Sequence, residues 1–249
     1  MQALRVEQDG ELLRVTLARP ERRNAFDAQL IAELTEAFSA VGDDVRAVLL
    51  SGDGPSFCAG ADVEWQRSSI DLTFEENVED ALRLHAMMAA VDSSPAPLVV
   101  RVQGHALGGG SGLVACGDVV VAAPDATFGF SEVRLGIIPA VISPFVFARI
   151  GAGNARSLFV SGDRFDAETA LRIGLVDEIA EDLDAAVERR IASILSSGPE
   201  ATRAAKRLTR ERPTEPRELA QIAAGLRAGA EGQEGLRAFL EKRPPDWSG

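Results

Sequence analysis

The sequence predicts an α/β fold in which a strand-and-helix core leads into a tail of helices. Three observations carry that expectation. Two glycine-bearing loops, residues 51–62 and 105–112, each follow a short apolar run, residues 45–50 and 98–102, and an apolar run closed by a glycine turn reads as a buried strand entering a turn. The segment ahead of the first loop keeps a helical apolar period. The last hundred residues carry helical periods almost throughout.

In chain order, residues 4–17 alternate around Asp9-Gly10, a dipeptide suited to a tight hairpin, so two antiparallel strands open the fold. Asp27 can cap a helix with apolar positions Leu30, Ile31, Leu34, Phe38 and Val41, and Gly42 is its expected stop. Residues 45–50 form the next strand. The loop after it, Ser51-Gly52-Asp53-Gly54-Pro55-Ser56-Phe57-Cys58-Ala59-Gly60-Ala61-Asp62, is either an ordinary turn or one wall of a crevice at the carboxyl ends of strands. Residues 64–76 are polar without a clear period and read as a flap or irregular helix. A helix over 74–91 places Val78, Leu82, His85 and Met88 or Ala89 on one stripe, so His85 is expected to face inward, either as a hydrogen-bonded core residue or lining a pocket.

The triple glycine Gly108-Gly109-Gly110 follows the strand at 98–102 and precedes an apolar helix start. Backbone amides there lack intrahelical partners and no side chain shields them, so the stretch is either a simple strand-to-helix turn or a cradle for a carbonyl oxygen or anion. Residues 118–123 and 127–130 read as further short strands. Glu132 stands in a mostly apolar neighbourhood and is either a buried acid able to exchange protons near neutrality or an exposed glutamate at a helix start capped by Ser131. Helices are expected over 144–150, 155–161, 167–173, 183–195, 201–210, 216–226 and 231–240, with a lone strand at 176–179. Residues 1–195 form the expected core. Residues 196–249 form a helical region that packs on its own core or on a neighbouring subunit.

The chain has 249 residues, 46% hydrophobic, and a net charge of −12. That balance argues against nucleic acid or an anionic membrane as partner, since either needs a continuous basic face. No apolar run approaches the ~18 residues that span a bilayer, and no leader segment is evident, so a cytoplasmic location is expected. Cys58 and Cys116 lack metal-ligand spacing and read as reduced, buried thiols; no metal is expected. Lys206 and Lys242 are the only lysines.

Six ordered pieces resemble the crotonase superfamily, the enoyl-CoA hydratases and isomerases. They are Arg22-Arg23-Asn24-Ala25-Phe26, Phe57-Cys58-Ala59-Gly60-Ala61-Asp62, Gly104-His105-Ala106-Leu107-Gly108-Gly109-Gly110, Phe128-Gly129-Phe130-Ser131-Glu132, Leu135-Gly136-Ile137-Ile138-Pro139 and residues 234–243. The resemblance implies a spiral of ββα units with a C-terminal helical region, assembled as a homotrimer or homohexamer, that acts on an acyl-CoA with no cofactor beyond the coenzyme A of the substrate. It implies an oxyanion hole of the Ala61 and Gly109 amides, with Glu132 moving the proton. It further places Arg22, Ala25, Ala59, Gly60 and Asp62 near the coenzyme A, with Phe239 and Lys242 reaching over from a neighbouring subunit. Hydratases of this kind carry a second glutamate where Gly112 stands here. The pattern after Glu132 is most similar to the bacterial methylglutaconyl-CoA hydratase branch. Hydration of a short or branched enoyl-CoA is therefore the expected activity; a single-glutamate isomerase and an acyl-CoA binding protein with little catalysis are the alternatives.

Overall fold

The computed structural model describes residues 3–248. Strands β1 (Leu4–Asp9) and β2 (Leu12–Leu17) pair antiparallel from Leu4↔Leu17 to Asp9↔Leu12. Helix α1 (Ala28–Ser39) starts where the Asp27 carboxylate accepts the Leu30 amide at 2.8 Å. Its buried face is Leu30, Ile31, Leu34 and Phe38, as the period requires, and it ends before Gly42. Strand β3 (Ala47–Gly52) runs parallel to β2. The polar stretch that follows folds as α2 (Val63–Ser68) and a 3-10 turn at Ser69–Asp71.

Helix α3 (Phe74–Asp92) opens with a capping box between Thr73 and Glu76. Next come β4 (Leu98–Val102), β5 (His105–Leu107), α4 (Gly109–Ala115), β6 (Val119–Ala122) and β7 (Thr127–Gly129). A 3-10 turn covers Glu132–Leu135. The chain continues through α5 (Ser143–Ser161), β8 (Arg164–Asp166), α6 (Ala167–Arg172), β9 (Glu178–Ile179), α7 (Leu183–Leu195), α8 (Pro199–Glu211), α9 (Pro216–Ala228) and α10 (Ala230–Glu241).

One sheet has the order β1-β2-β3-β4-β6-β9, parallel from β2 onward; a second has the order β5-β7-β8. Alternation along β3 sorts the core. Val48 and Leu50 join the main cluster with Val15, Val100, Phe26 and Met88, while Ala47 and Leu49 face Leu183, Val187 and Ile191 of α7. Burial on both faces is what a parallel sheet needs, and it explains why these strands read as continuous apolar runs.

Four expectations are corrected. The segment expected as a lone strand pairs with β6 through Val121↔Glu178 and Ala122↔Ile179. The two helices expected over 144–161 form one element kinked at Gly151, whose φ of 74° breaks the helical run. Strands β5 and β8 were not expected as strands. His85 is exposed, its ring 5.6 Å from that of Phe145. Helix α3 is longer than the core beneath it. Its last turns bury Met87, Met88 and Val91, whereas Val78, Leu82 and His85 on the earlier turns face outward.

Helix α8 packs on its own chain. Lys206 is 7% exposed, with its Nζ 2.6 Å from Asp118 Oδ2 and donating to the Ala96 carbonyl at 2.9 Å. Arg203 pairs with Asp43 at 2.6 Å, and Arg210 pairs with Asp92. Among the described residues no helix is long and apolar enough to cross a membrane.

Candidate active site

The two glycine loops meet by backbone pairing. Cys58 N–H donates to the His105 carbonyl at 2.9 Å and Leu107 N–H to the Cys58 carbonyl at 3.0 Å, a parallel bridge of Cys58 with Ala106. Carried three residues forward, that register sets Ala61 beside Gly109. On its other side the same segment bridges Phe26: Phe26 N–H donates to Gly60 O at 2.7 Å and Asp62 N–H to Phe26 O at 2.8 Å. In this alternation the Ala61 N–H points away from Phe26. Among the described residues, the amides of Ala61 and Gly109 donate to no other group.

Glycine is required where the loops touch. Gly60 has φ of 93° and a β-carbon there would lie 2.8 Å from the Leu107 carbonyl oxygen; Gly108 has φ of 53°, closed to most side chains. Glu132 leans into the space left at Gly108, its Oε1 3.2 Å from where a β-carbon would sit. Its Oε2 is buried without a hydrogen-bond partner. Burial pushes the Glu132 carboxyl above the ordinary 4.5, opposed only by its own backbone N–H. Glu132 falls between the two readings: it is half-buried at the start of the 3-10 turn, where Ser131 gives no side-chain cap, and its Oε2 is enclosed.

These groups share one cavity of about 440 Å³, lined by Ala59, Gly60, Ala61, Gly108, Gly109 and Glu132. Phe26, Trp65, Leu84, Leu107, Ile138 and Ile142 supply its apolar wall. Its volume lies in the range of small-molecule sites. Sequence reasoning missed Trp65, Gln66, Asn77, Asp80 and Arg164, all of which line it. Asp80 is held by Arg83 at 3.0 Å, and the Asn77 amide donates to the Leu72 and Thr73 carbonyls. The Arg164 guanidinium has no hydrogen-bond or ion-pair partner among the described residues. None of these positions stood in a motif or on a period that could have flagged it.

Gly112, two residues into the buried part of α4, is closed off. A β-carbon there would lie 2.8 Å from Ile142 Cγ2 and 3.2 Å from Met88 Cε. The place of a second carboxylate is therefore filled by apolar side chains.

The other expected residues fall in three places. Arg22 is half-exposed and pairs with Glu64 at 3.5 Å, Ala25 is buried, and the Ala59 amide donates to Arg23 O at 2.9 Å, so all three border the first loop. Asp62 is turned inward: its Oδ1 accepts the Glu64 amide at 2.8 Å and its Oδ2 lies 3.2 Å from Arg19. Its carboxylate thus serves the chain itself and does not reach the cavity. Phe239, 80% exposed, and Lys242 lie on and after α10, away from this cavity. Both cysteines are free and buried; burial pushes the Cys58 thiol up to about 12 and raises Cys116 as well, so neither is a thiolate nucleophile at neutral pH.

The chain belongs to the enoyl-CoA hydratase/isomerase family, whose pattern matches residues 7–249. It is 37% identical over 254 residues to the cyclohexa-1,5-dienecarbonyl-CoA hydratase of Thauera aromatica, covering 97% of this chain and 95% of that one. Among solved structures it is similar to Pseudomonas aeruginosa AtuE, with a TM-score of 0.94, 36% identity and coverage of 99% and 100% of the two chains. An enoyl-CoA hydratase of Shewanella pealeana gives a TM-score of 0.91 at 37% identity, with coverage of 98% and 96%.

Proposed function

We propose that the protein catalyses reversible hydration of a short or branched α,β-unsaturated acyl-CoA, with Glu132 as its single acid–base group. The observation that carries this reading is the placing of Glu132, with Oε2 buried and unpartnered, beside two amides that have no other acceptor. The thioester oxygen accepts hydrogen bonds from Ala61 and Gly109. As water's oxygen bonds to the β-carbon, Glu132 takes its proton and the electron pair of the double bond moves onto the thioester oxygen as an enolate. The proton then passes from Glu132 to the α-carbon. Because negative charge grows on the oxygen only along the reaction, the two fixed donors stabilise the transition state more than the substrate, by about 2.7–4 kcal/mol per donor. Arg22, Ala25, Ala59 and Gly60 border the coenzyme A in this reading. Phe239 and Lys242 complete its site from a neighbouring copy in a homotrimer or homohexamer.

The closed space at Gly112 favours one second reading, a double-bond isomerase, for which a single carboxylate suffices to remove a proton at one carbon and return it at another. The test is a panel of crotonyl-, methylcrotonyl-, methylglutaconyl- and cyclohexadienecarbonyl-CoA, followed by mass in heavy water. Gain of one water supports the hydratase; deuterium incorporation without hydration selects the isomerase. Glu132→Gln is expected to lower turnover about 10²- to 10⁴-fold, and full retention of turnover would falsify the role of Glu132.

A further inference from the structure

We propose that Arg19, which lies outside the cavity, is the positioning residue of the amide pair: its guanidinium, acting through Asp62, fixes the direction of the Ala61 N–H. The inference rests on the two-amide reading above. Arg19 follows β2 and is 16% exposed at its side chain, and Asp62 is 5% exposed. One nitrogen, Nη2, lies 2.9 Å from Asp27 Oδ2 and 3.2 Å from Asp62 Oδ2, while Nη1 donates to the Ala25 carbonyl at 2.6 Å. Three acceptors from two segments, residues 25–27 and Asp62, thus converge on one planar cation. A guanidinium suits that task because its donors are held in a fixed fork, whereas an ammonium is a point charge on a flexible stem.

Both carboxylates are helix caps. Asp27 accepts the Leu30 amide at the start of α1, and Asp62 accepts the Glu64 amide at the start of α2. Asp62 is also the residue after Ala61, and its own N–H is bonded to Phe26 O at 2.8 Å. Asp62 is therefore held twice, by Phe26 through the main chain and by Arg19 through the side chain, while the Gly60–Ala61 peptide that carries the Ala61 N–H is held from its other side, where Gly60 O accepts the Phe26 N–H at 2.7 Å. Arg19 is itself anchored: its N–H donates to Asn24 Oδ1 at 2.9 Å, the Asn24 N–H donates back to Arg19 O at 2.9 Å, and the Asn24 amide reaches the Asp53 and Ser56 carbonyls, each at 2.9 Å. Without the guanidinium, two carboxylates that now share one nitrogen face each other in a water-poor place. Their repulsion drives the starts of α1 and α2 apart, and Ala61 moves with α2.

The test reads the hole directly, as the fall in carbonyl stretching frequency when butyryl-CoA labelled with ¹³C at the thioester carbon binds. The wild type is expected to show a clear downshift, and Arg19→Met to lose most of it. Turnover is expected to fall about 10- to 100-fold in Arg19→Met, as a displacement of about 1 Å in a reacting group does, with KM changed by less than about threefold, since ground-state binding is largely kept. Arg19→Lys and Asp62→Asn, which keep the charge or the cap, should give intermediate downshifts in the same order as their turnover; they carry the test if Arg19→Met does not fold. A wild-type downshift retained in all three variants overturns the role of Arg19 and leaves the amide pair standing. No downshift in the wild type overturns both. Activity that falls only in proportion to the folded fraction, with the downshift intact, also overturns the proposal.

Discussion

Ile142 Cγ2 stands 2.8 Å from the point where a β-carbon on Gly112 would be. A larger residue at 112 must therefore displace Ile142, and with it the wall of the cavity. Gly112→Glu is expected to destabilise the fold by at least about 1–3 kcal/mol through overpacking and to leave hydration no faster. Urea unfolding and the crotonyl-CoA rate measure both. A faster, equally stable variant would show that the space is open after all.

Glu132 gives a prediction in which stability and activity move oppositely. Burial raises its pKa in the folded protein above 4.5, so the folded state holds the proton more tightly than the unfolded chain. The stability this group contributes is fully present below the unfolded value and is lost as pH rises through the folded value. At pH 7 the charged form is a burden, so Glu132→Gln should unfold at a higher temperature than the wild type. That advantage should shrink as the pH is lowered toward 4.5. The wild-type rate should show an acid limb at a higher pH than an ordinary glutamate gives, because Glu132 must be ionised to accept a proton from water. Thermal melts and rates across pH 4–8 check the two signs together.

The Arg164 guanidinium is a cation on the cavity wall with no partner among the described residues. An acyl group that carries its own carboxylate would find a counter-ion there; a hydrocarbon one would not use it. Arg164→Met is expected to lower kcat/KM for methylglutaconyl-CoA about tenfold, the low end for a charge-assisted hydrogen bond, while crotonyl-CoA is unaffected. An equal loss on both substrates would remove Arg164 from acyl recognition.

The Lys206–Asp118 pair tests how the helical tail is held. Lys206→Met leaves Asp118 with the Leu98 amide at 2.7 Å and a distant Arg210 at 3.8 Å. Loss of one partner of a buried pair is expected to cost about 3 kcal/mol. Hydrogen exchange should quicken first along α8, while the rate per folded molecule stays unchanged. Uniform quickening across β3 and β4 would mean that α8 is not a separate unit of unfolding.

What the sequence made legible was local. The hairpin at Asp9-Gly10, the Asp27 cap and the apolar face of α1 depend on neighbours in the chain, and each was readable there. Strands β5 and β8 were not, because residues such as Leu107 and Arg164, which both pair with Gly129 of β7, become strand only by pairing across distance. His85 shows the same limit from another side: a period names the residues that share a face, but not whether anything covers it. The site divides along this line. Glu132 and the two glycine loops stood in motifs, whereas Asp80 and Arg164 reach the cavity only once α3 and β8 are in place. Arg19 stood in none of those motifs.

Phe26 links the two halves of the site through an apolar ring. Its main chain bridges Ala61, and its Cε2 lies 2.6 Å from the β-position of Gly109. The same residue therefore spans both halves of the donor pair, like a spacer block set between two jaws. Changing its bulk alters the gap without removing either donor. In the proposed reaction an apolar side chain thereby becomes a dial on the acidity of the substrate's α-carbon, and a laboratory search for altered chemistry has a position to vary that leaves Glu132 and both amides in place.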